Sequence, residues 1–253
     1  MSDLLEVRGI SVRFGGIRAL DDVSLVVGAG AAVGLIGPNG AGKTTLFDCI
    51  TGVRRPDRGE VLFDGERIDG LPIHRRARLG IGRTFQRIEL FAGMTTRDHL
   101  LVAERERGGN GRLWRDLLGR GAPTPEETLR VESMIAELHL QDFADAQIES
   151  LSLGQGRLVE LGRALIAEPR LLLLDEPSSG LDSRESAALA AVVNQVREGR
   201  GMAVLLVEHD LDLVHAVVER AYVLDFGRMI ASGPLTEVLT ESSVRKAYLG
   251  EGE

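Results

Sequence analysis

The chain has 253 residues, with 30 Lys and Arg against 38 Asp and Glu and a formal net charge of −8. That length allows one large domain or two closely joined lobes with a real core. The acidic balance argues against a nucleic-acid binder, which presents a basic face, and the single cysteine, Cys49, excludes an internal disulfide framework and fits a reducing compartment.

In chain order, the first nine residues include Asp3, Glu6 and Arg8 and hold no apolar run of the kind a signal peptide needs. Residues 5–14 and 19–27 mix polar and apolar side chains and read as strands of an antiparallel layer. Residues 31–36 are nearly all apolar, as a strand buried on both faces should be. A Gly-rich loop and a helical pattern follow. Val61-Leu62-Phe63 runs into Asp64-Gly65, a hairpin signal. The cluster Arg75, Arg76 and Arg78 reads as a solvated face. Residues 90–151 carry a helical pattern interrupted by a Gly- and Arg-rich stretch at 105–121 and by Pro123 and Pro125. Pro123-Thr124-Pro125-Glu126-Glu127 has the look of a helix start, with acid in the first turn. Within that stretch, residues 113–118 have apolar spacing for one helix face. Packing onto their own lobe is the simpler reading, and contact with a membrane partner or the bilayer surface is the alternative. Residues 170–175 and 202–208 are two more buried strands, each followed by helical spacing, which indicates a parallel sheet with crossover helices. Tyr222-Val223-Leu224-Asp225 before Phe226-Gly227 predicts a second hairpin. The strongly apolar runs fall far short of the about 20 residues of a membrane span, so work at a membrane would require docking onto a spanning partner.

Gly37-Pro38-Asn39-Gly40-Ala41-Gly42-Lys43-Thr44-Thr45 has the phosphate-loop spacing, follows a buried strand and opens a helix. Glycines let successive N–H groups turn toward phosphate oxygens, and the helix presents its positive end to the same anion. Lys43 is expected to reach the β- and γ-phosphates and the Thr44 hydroxyl to hold Mg²⁺. Cys49, on the following helix, reads as a buried core residue. The apolar strand at 171–174 ends in Asp175-Glu176. Asp175 suits Mg²⁺ or its water, and Glu176 the orientation of the attacking water. If the strand pleat persists, the two carboxylates point to opposite faces. The expected fold is α/β: a phosphate-loop NTPase core (parallel sheet with flanking helices), an antiparallel β layer and a helical lobe. The core and antiparallel lobe occupy about 1–88 and 160–253, and the helical lobe about 89–159.

With these features in order, the chain resembles the ATP-binding cassette ATPases over nearly its whole length. Leu151-Ser152-Leu153-Gly154-Gln155 resembles the family signature, with Leu153 at a variable third position. Gln86, in Thr84-Phe85-Gln86, matches the loop that senses Mg²⁺ and couples to the membrane partner. Ser179-Gly180-Leu181-Asp182 matches the loop after the acid pair, His209 the switch histidine, and Phe14 the aromatic that stacks on adenine. The resemblance implies an ATP-hydrolysing subunit that pairs head to tail with a second copy or a paralogue. In that arrangement Ser152 and Gly154, with Gln155, face the nucleotide held by the partner's phosphate loop. Within the family the chain resembles the ATP-binding subunit of branched-chain amino-acid importers. The residues carrying this are Leu79-Gly80-Ile81-Gly82-Arg83-Thr84-Phe85-Gln86, Leu90-Phe91, Met94-Thr95, the insertion near 105–130 and the ending Val244-Arg245-Lys246-Ala247-Tyr248-Leu249-Gly250-Glu251. Ser178-Ser179 departs from the paired alanines of that group, and Leu181-Asp182 from its leucine–asparagine. The resemblance further implies transmembrane permease subunits as partners, a substrate-binding protein indirectly, no nucleic acid, and a peripheral place on the cytoplasmic face of the inner (cell) membrane. Two rival readings are a soluble cassette acting in assembly or regulation, and the ATPase of a lipid or lipopolysaccharide exporter.

Overall fold

The computed structural model describes residues 3–84, 90–107 and 122–249. Strands β1 (Asp3–Phe14) and β2 (Ile17–Gly28) form a long hairpin, and β4 (Arg58–Phe63) and β5 (Glu66–Arg67) extend it into a four-stranded antiparallel sheet ordered β2-β1-β4-β5. The second sheet has six strands. It contains β3 (Ala32–Ile36), β6 (Ile81–Arg83), β7 (Leu171–Asp175), β8 (Ala203–Val207), β9 (Arg220–Asp225) and β10 (Arg228–Pro234), in the order β10-β9-β3-β8-β7-β6. All its pairings are parallel except β9 with β10.

Every residue of β3, β7 and β8 is buried, which is why these strands are apolar throughout rather than alternating. Alternation survives in which core each side chain joins. Leu171 and Leu173 of β7 and Leu205 of β8 pack with the antiparallel sheet and helix α1 (Lys43–Thr51). Leu172, Leu174, Val204 and Leu206 pack on the other face. There they meet the helices α3 (Thr96–Arg107), α4 (Pro125–Glu137), α5 (Leu153–Leu165) and α6 (Ser183–Arg200), which follow the short α2 (Ile73–Arg78). Helices α7 (Leu211–Val217), α8 (Leu235–Val238) and α9 (Ser242–Leu249) complete the chain.

Both hairpin signals hold. Asp64 and Gly65 have φ of 54° and 78°, and Phe226 and Gly227 have 41° and 76°, the paired positive φ that a two-residue turn matched to strand twist requires. The second hairpin, however, is an edge of the parallel sheet and not part of the antiparallel layer. The helix start before α4 is also present. Thr124 accepts from the Glu127 N–H, and Glu127 reaches back to the Thr124 N–H.

The solvated arginine face needs correction. Arg75 and Arg78 are exposed, but Arg76 is only 1 % exposed. Its guanidinium donates to the carbonyls of Cys49 (2.6 Å), Ile50 (2.8 Å) and Leu71 (3.0 Å). The last carbonyls of a helix lack intrahelical partners and carry the negative end of its dipole, so the end of α1 draws this cation inward.

Candidate nucleotide site

Three neighbouring parallel strands set the site. In the ladder Asp175 pairs with Val207, and Leu35 pairs with the same Val207. The carboxyl ends of β3, β7 and β8 are therefore level. They release, side by side, the Gly37–Thr45 loop, Asp175-Glu176 and Glu208-His209. Ligands of open α/β sheets bind at such ends.

The loop needs its glycines. Gly37 has φ 147° and Gly42 has φ 107°. A Cβ on Gly37 would lie 2.0 Å from the Leu224 carbonyl oxygen, and one on Gly42 would lie 2.6 Å from that of Ala19. Gly42 N-caps α1 with no side-chain cap and no acidic residue in the first turn. By contrast, α4, α5 and α6 each begin with a complete capping box. The first N–H groups of α1 are thus left to an anion. Asn39 and Gly40 stand exposed on the crest, Ala41 is buried, Thr44 is exposed and Thr45 half-buried. Lys43 is 5 % exposed, and its ammonium donates to the carbonyls of Gly37 (2.7 Å) and Pro38 (3.0 Å). Burial lowers its pKa, and the carboxylates of Glu176, Asp175 and Glu208 oppose that shift.

Asp175 is 1 % exposed. Its Oδ2 accepts from Arg83 Nη2 at 2.9 Å, and the same guanidinium donates through Nη1 to Asp48 Oδ1, also at 2.9 Å. Burial raises the Asp175 pKa, against the pull of Arg83. Its Oδ1 is buried without a hydrogen-bond partner among the described residues. An orphaned carboxylate oxygen beside a phosphate loop, with the exposed Thr44 hydroxyl on the first turn of α1, is the hard-oxygen donor set that fits Mg²⁺. Among the described residues no group of three or more His, Cys, Asp and Glu forms a metal cage of its own. Mg²⁺ sites that use substrate phosphates do without one.

The strand pleat does not continue to Glu176. β7 ends at Asp175, and Glu176 adopts φ 46° with its N–H donated to the Val207 carbonyl at 2.9 Å. A left-handed residue thus takes the place of the expected pleat, a conformation that costs about 1–3 kcal/mol outside glycine and is found at functional sites. His209 follows β8 with its side chain 55 % exposed. Its Nδ1 is 3.7 Å from Glu208 Oε2.

Other expected residues lie elsewhere. Ser152 N-caps α5, with Gln155 Oε1 accepting the Ser152 N–H at 2.8 Å. The Ser152 hydroxyl and the Gly154 N–H both donate to Glu185 Oε1, at 2.9 and 3.3 Å. These bonds join the turn to α6 of the same chain and not to the phosphate loop. Asp182 N-caps α6 by accepting from Arg184 and Glu185. Phe14 ends β1 partly exposed, with the Arg54 guanidinium carbon 3.8 Å from its ring centroid. Gln86 lies outside the described residues, as do most of 105–121 and the end of the chain. Arg83, Glu185 and Glu208 were missed by sequence reasoning. Glu208 carried a usable signal, being a carboxylate closing an apolar strand as Asp175 does.

Residues 20–179 match the ABC transporter family. The chain belongs to that family. It is 40 % identical over 251 residues to BraF of Pseudomonas aeruginosa, a high-affinity branched-chain amino acid transport ATP-binding protein, covering 98 % of both chains. It is 37 % identical to LivG of Escherichia coli K12, of the same description, again over 98 % of both. It is also 37 % identical to LptB of Escherichia coli K12, a lipopolysaccharide export system ATP-binding protein, covering 98 % of this chain and 97 % of that one. A nucleotide-free ATP-binding cassette from an ABC transporter superposes with a TM-score of 0.87 at 31 % identity, over 99 % of this chain and all of the other. A dimeric cassette in a post-hydrolysis state, bound to ADP and Pi, gives 0.75 at 26 % identity over 92 % and 99 %. Membership of this family makes the chain an ATP-binding cassette ATPase with a phosphate-loop NTPase fold.

Proposed function

We propose that this cassette is the ATP-hydrolysing subunit of a membrane importer for branched-chain or related amino acids, closing with a second copy or a paralogue around two MgATP. The observation that carries the hydrolytic half is the level meeting of the uncapped α1, the buried Lys43 and the Asp175-Glu176 turn at three adjacent strand ends. In this reading Phe14 stacks on adenine, and the N–H groups from Gly37 to Thr45 (Asn39, Gly40, Ala41 and Gly42 between) cradle the phosphates. Thr44, Asp175 through its orphaned Oδ1, and Gln86 hold Mg²⁺, which supplies neutralisation of the charge on the phosphate oxygens when bound. Lys43 offers the γ-phosphate an ammonium already desolvated by its surroundings, where each electrostatic contact is stronger than in water. Glu176 orients and polarises the attacking water, His209 contacts the γ-phosphate, and Ser152, Gly154, Gln155 and Asp182 complete the site across the dimer.

The division into a core with its antiparallel lobe (about 1–88 and 160–253) and a helical lobe (about 89–159) belongs to the same reading. The core on the helical side of the sheet draws on both segments, Leu100 and Met134 from one and Leu172 and Val193 from the other, so the two lobes share packing. Among the described residues no helix is long and apolar enough to cross a membrane, which is consistent with peripheral attachment, on the cytoplasmic face, to separate permease subunits.

Glu176→Gln is expected to bind ATP normally and to lose turnover by about 10²–10⁴-fold, the usual contribution of a general base. Wild-type turnover in that variant, assayed with membrane partners present, would refute the assignment. Lys43→Ala should weaken ATP binding itself, read by nucleotide titration. Cargo is tested by purifying the tagged protein from gently solubilised membranes. Two many-spanning proteins and a second cassette support import, and an associated binding protein then leads to the amino acid. Co-purification with an export assembly favours the lipopolysaccharide reading, and recovery from the soluble fraction alone overturns transport.

A further inference from the structure

Glu208 directly follows β8 and is 0 % exposed, yet no step above uses it. Its two oxygens take four donors. Oε1 accepts the Ser178 N–H (2.8 Å) and the Ser178 hydroxyl (2.7 Å), and Oε2 accepts the N–H groups of His209 (2.9 Å) and Asp210 (3.1 Å). One buried carboxylate therefore fastens two separate turns, each carrying a group assigned to hydrolysis. Ser178 lies two residues after Glu176, and His209 is the next residue after Glu208.

The Glu176 turn needs fastening. A non-glycine residue at φ 46° persists only where its surroundings over-determine it. On one side the Glu176 N–H is held by the Val207 carbonyl, the residue immediately before Glu208. On the other side the chain is held by Ser178 on Glu208 itself. The end of β8 thus grips the left-handed residue from both sides, and with the same carboxylate it sets the backbone of His209. Movement of either turn pulls on the other through four hydrogen bonds made in a buried site, where such bonds are strong and an unpaired partner is costly. The Ser178 hydroxyl makes one of the four. An alanine at this position would keep the N–H contact and lose the shorter one.

We propose that Glu208, acting through Ser178, is a positioning residue for hydrolysis that sets Glu176 and His209 together. This rests on the reading of those two residues given above. The clamp is made of bonds within the protein, so its loss should appear in turnover and not in binding.

The test is Ser178→Ala in the full chain, assayed with its transporter partners. Loss of one hydrogen bond to a charged group should lower kcat about tenfold, with KM for ATP and nucleotide affinity unchanged, at an assay temperature well below the lowered Tm of the variant. Ser178→Thr, which keeps the hydroxyl, should restore the rate. In the His209→Ala background the same Ser178→Ala change should produce a clearly smaller factor than in wild type, because part of what the clamp sets is already gone. A Ser178→Ala kcat within about twofold of wild type would overturn the proposal. So would a loss of kcat explained by unfolding at the assay temperature, or factors that multiply independently with His209→Ala. The underlying reading fails separately, if Glu176→Gln and His209→Ala themselves turn over normally.

Discussion

Arg76 places its charge against the last carbonyls of α1 and makes no ion pair among the described residues. Burial lowers its pKa, and the charges of Asp69 and Cys49 oppose that shift. The protein retains this buried cation because three carbonyls accept from it and because the negative end of a helix faces it. Removing it leaves those carbonyls without a donor. Arg76→Ala is expected to lower stability by about 3 kcal/mol, the scale of losing charged hydrogen bonds in a buried site, seen as a lower urea midpoint. A change within about 0.5 kcal/mol, the size of an ordinary surface substitution, would return Arg76 to the solvated face that the sequence suggests. Nothing in Arg75, Arg76 and Arg78 distinguishes the middle one, since its burial depends on how α2 packs on α1. Cys49 was easier to read. It sits on the core side of α1 at 0 % exposure, and burial pushes its thiol up to about 12. Native protein should resist iodoacetamide at neutral pH and react once unfolded, and labelling of the folded chain would contradict that burial.

At the scale of elements, Glu185 serves two helices. One carboxylate oxygen takes the Asp182 N–H at the start of α6, and the other takes the Ser152 hydroxyl and the Gly154 N–H at the start of α5. Asp182→Ala removes an N-cap from α6 alone and should lower stability by about 1 kcal/mol. Glu185→Ala loosens both helix starts and should exceed that in urea unfolding. An effect no larger than that of Asp182→Ala would show that its contacts to α5 contribute nothing. The capping boxes from Ser152 to Gln155 and from Asp182 to Glu185 went unread in the sequence, but the equivalent helix start at Thr124 to Glu127 was legible. So were both hairpins and the phosphate loop, because each depends on side chains a few residues apart. The link from Glu185 to Ser152 joins residues 33 positions apart. For the same reason the bond from Ser178 to Glu208, across 30 positions, has no local pattern to mark it, although the place of Glu208 after an apolar strand does.

At the scale of the molecule, the runs at 31–36, 170–175 and 202–208 disclosed strands buried on both faces. They left open that β3 lies between β8 and β9, since strand order is set by crossovers and not by composition. That order makes β7 and β8 a shared wall. Leu172 and Leu173 are neighbours in the chain and lie in different cores. Leu172 faces the helices, and Leu173 faces α1 and the antiparallel sheet. Truncating either to alanine should cost about 2–5 kcal/mol through lost transfer energy and a residual cavity. If the sheet binds the two cores into one cooperative unit, both variants should move the same single calorimetric transition downward, with calorimetric and van't Hoff enthalpies in agreement. If the helical side opens by itself, Leu172→Ala should split off an early transition that Leu173→Ala leaves in place. The buried strands favour the first outcome, because withdrawing the helical core would expose one whole face of β7 and β8 while their backbone ladder stayed intact. Two resolved transitions in the Leu172 variant would mean that the helical side is coupled to the nucleotide side more loosely than a shared sheet implies.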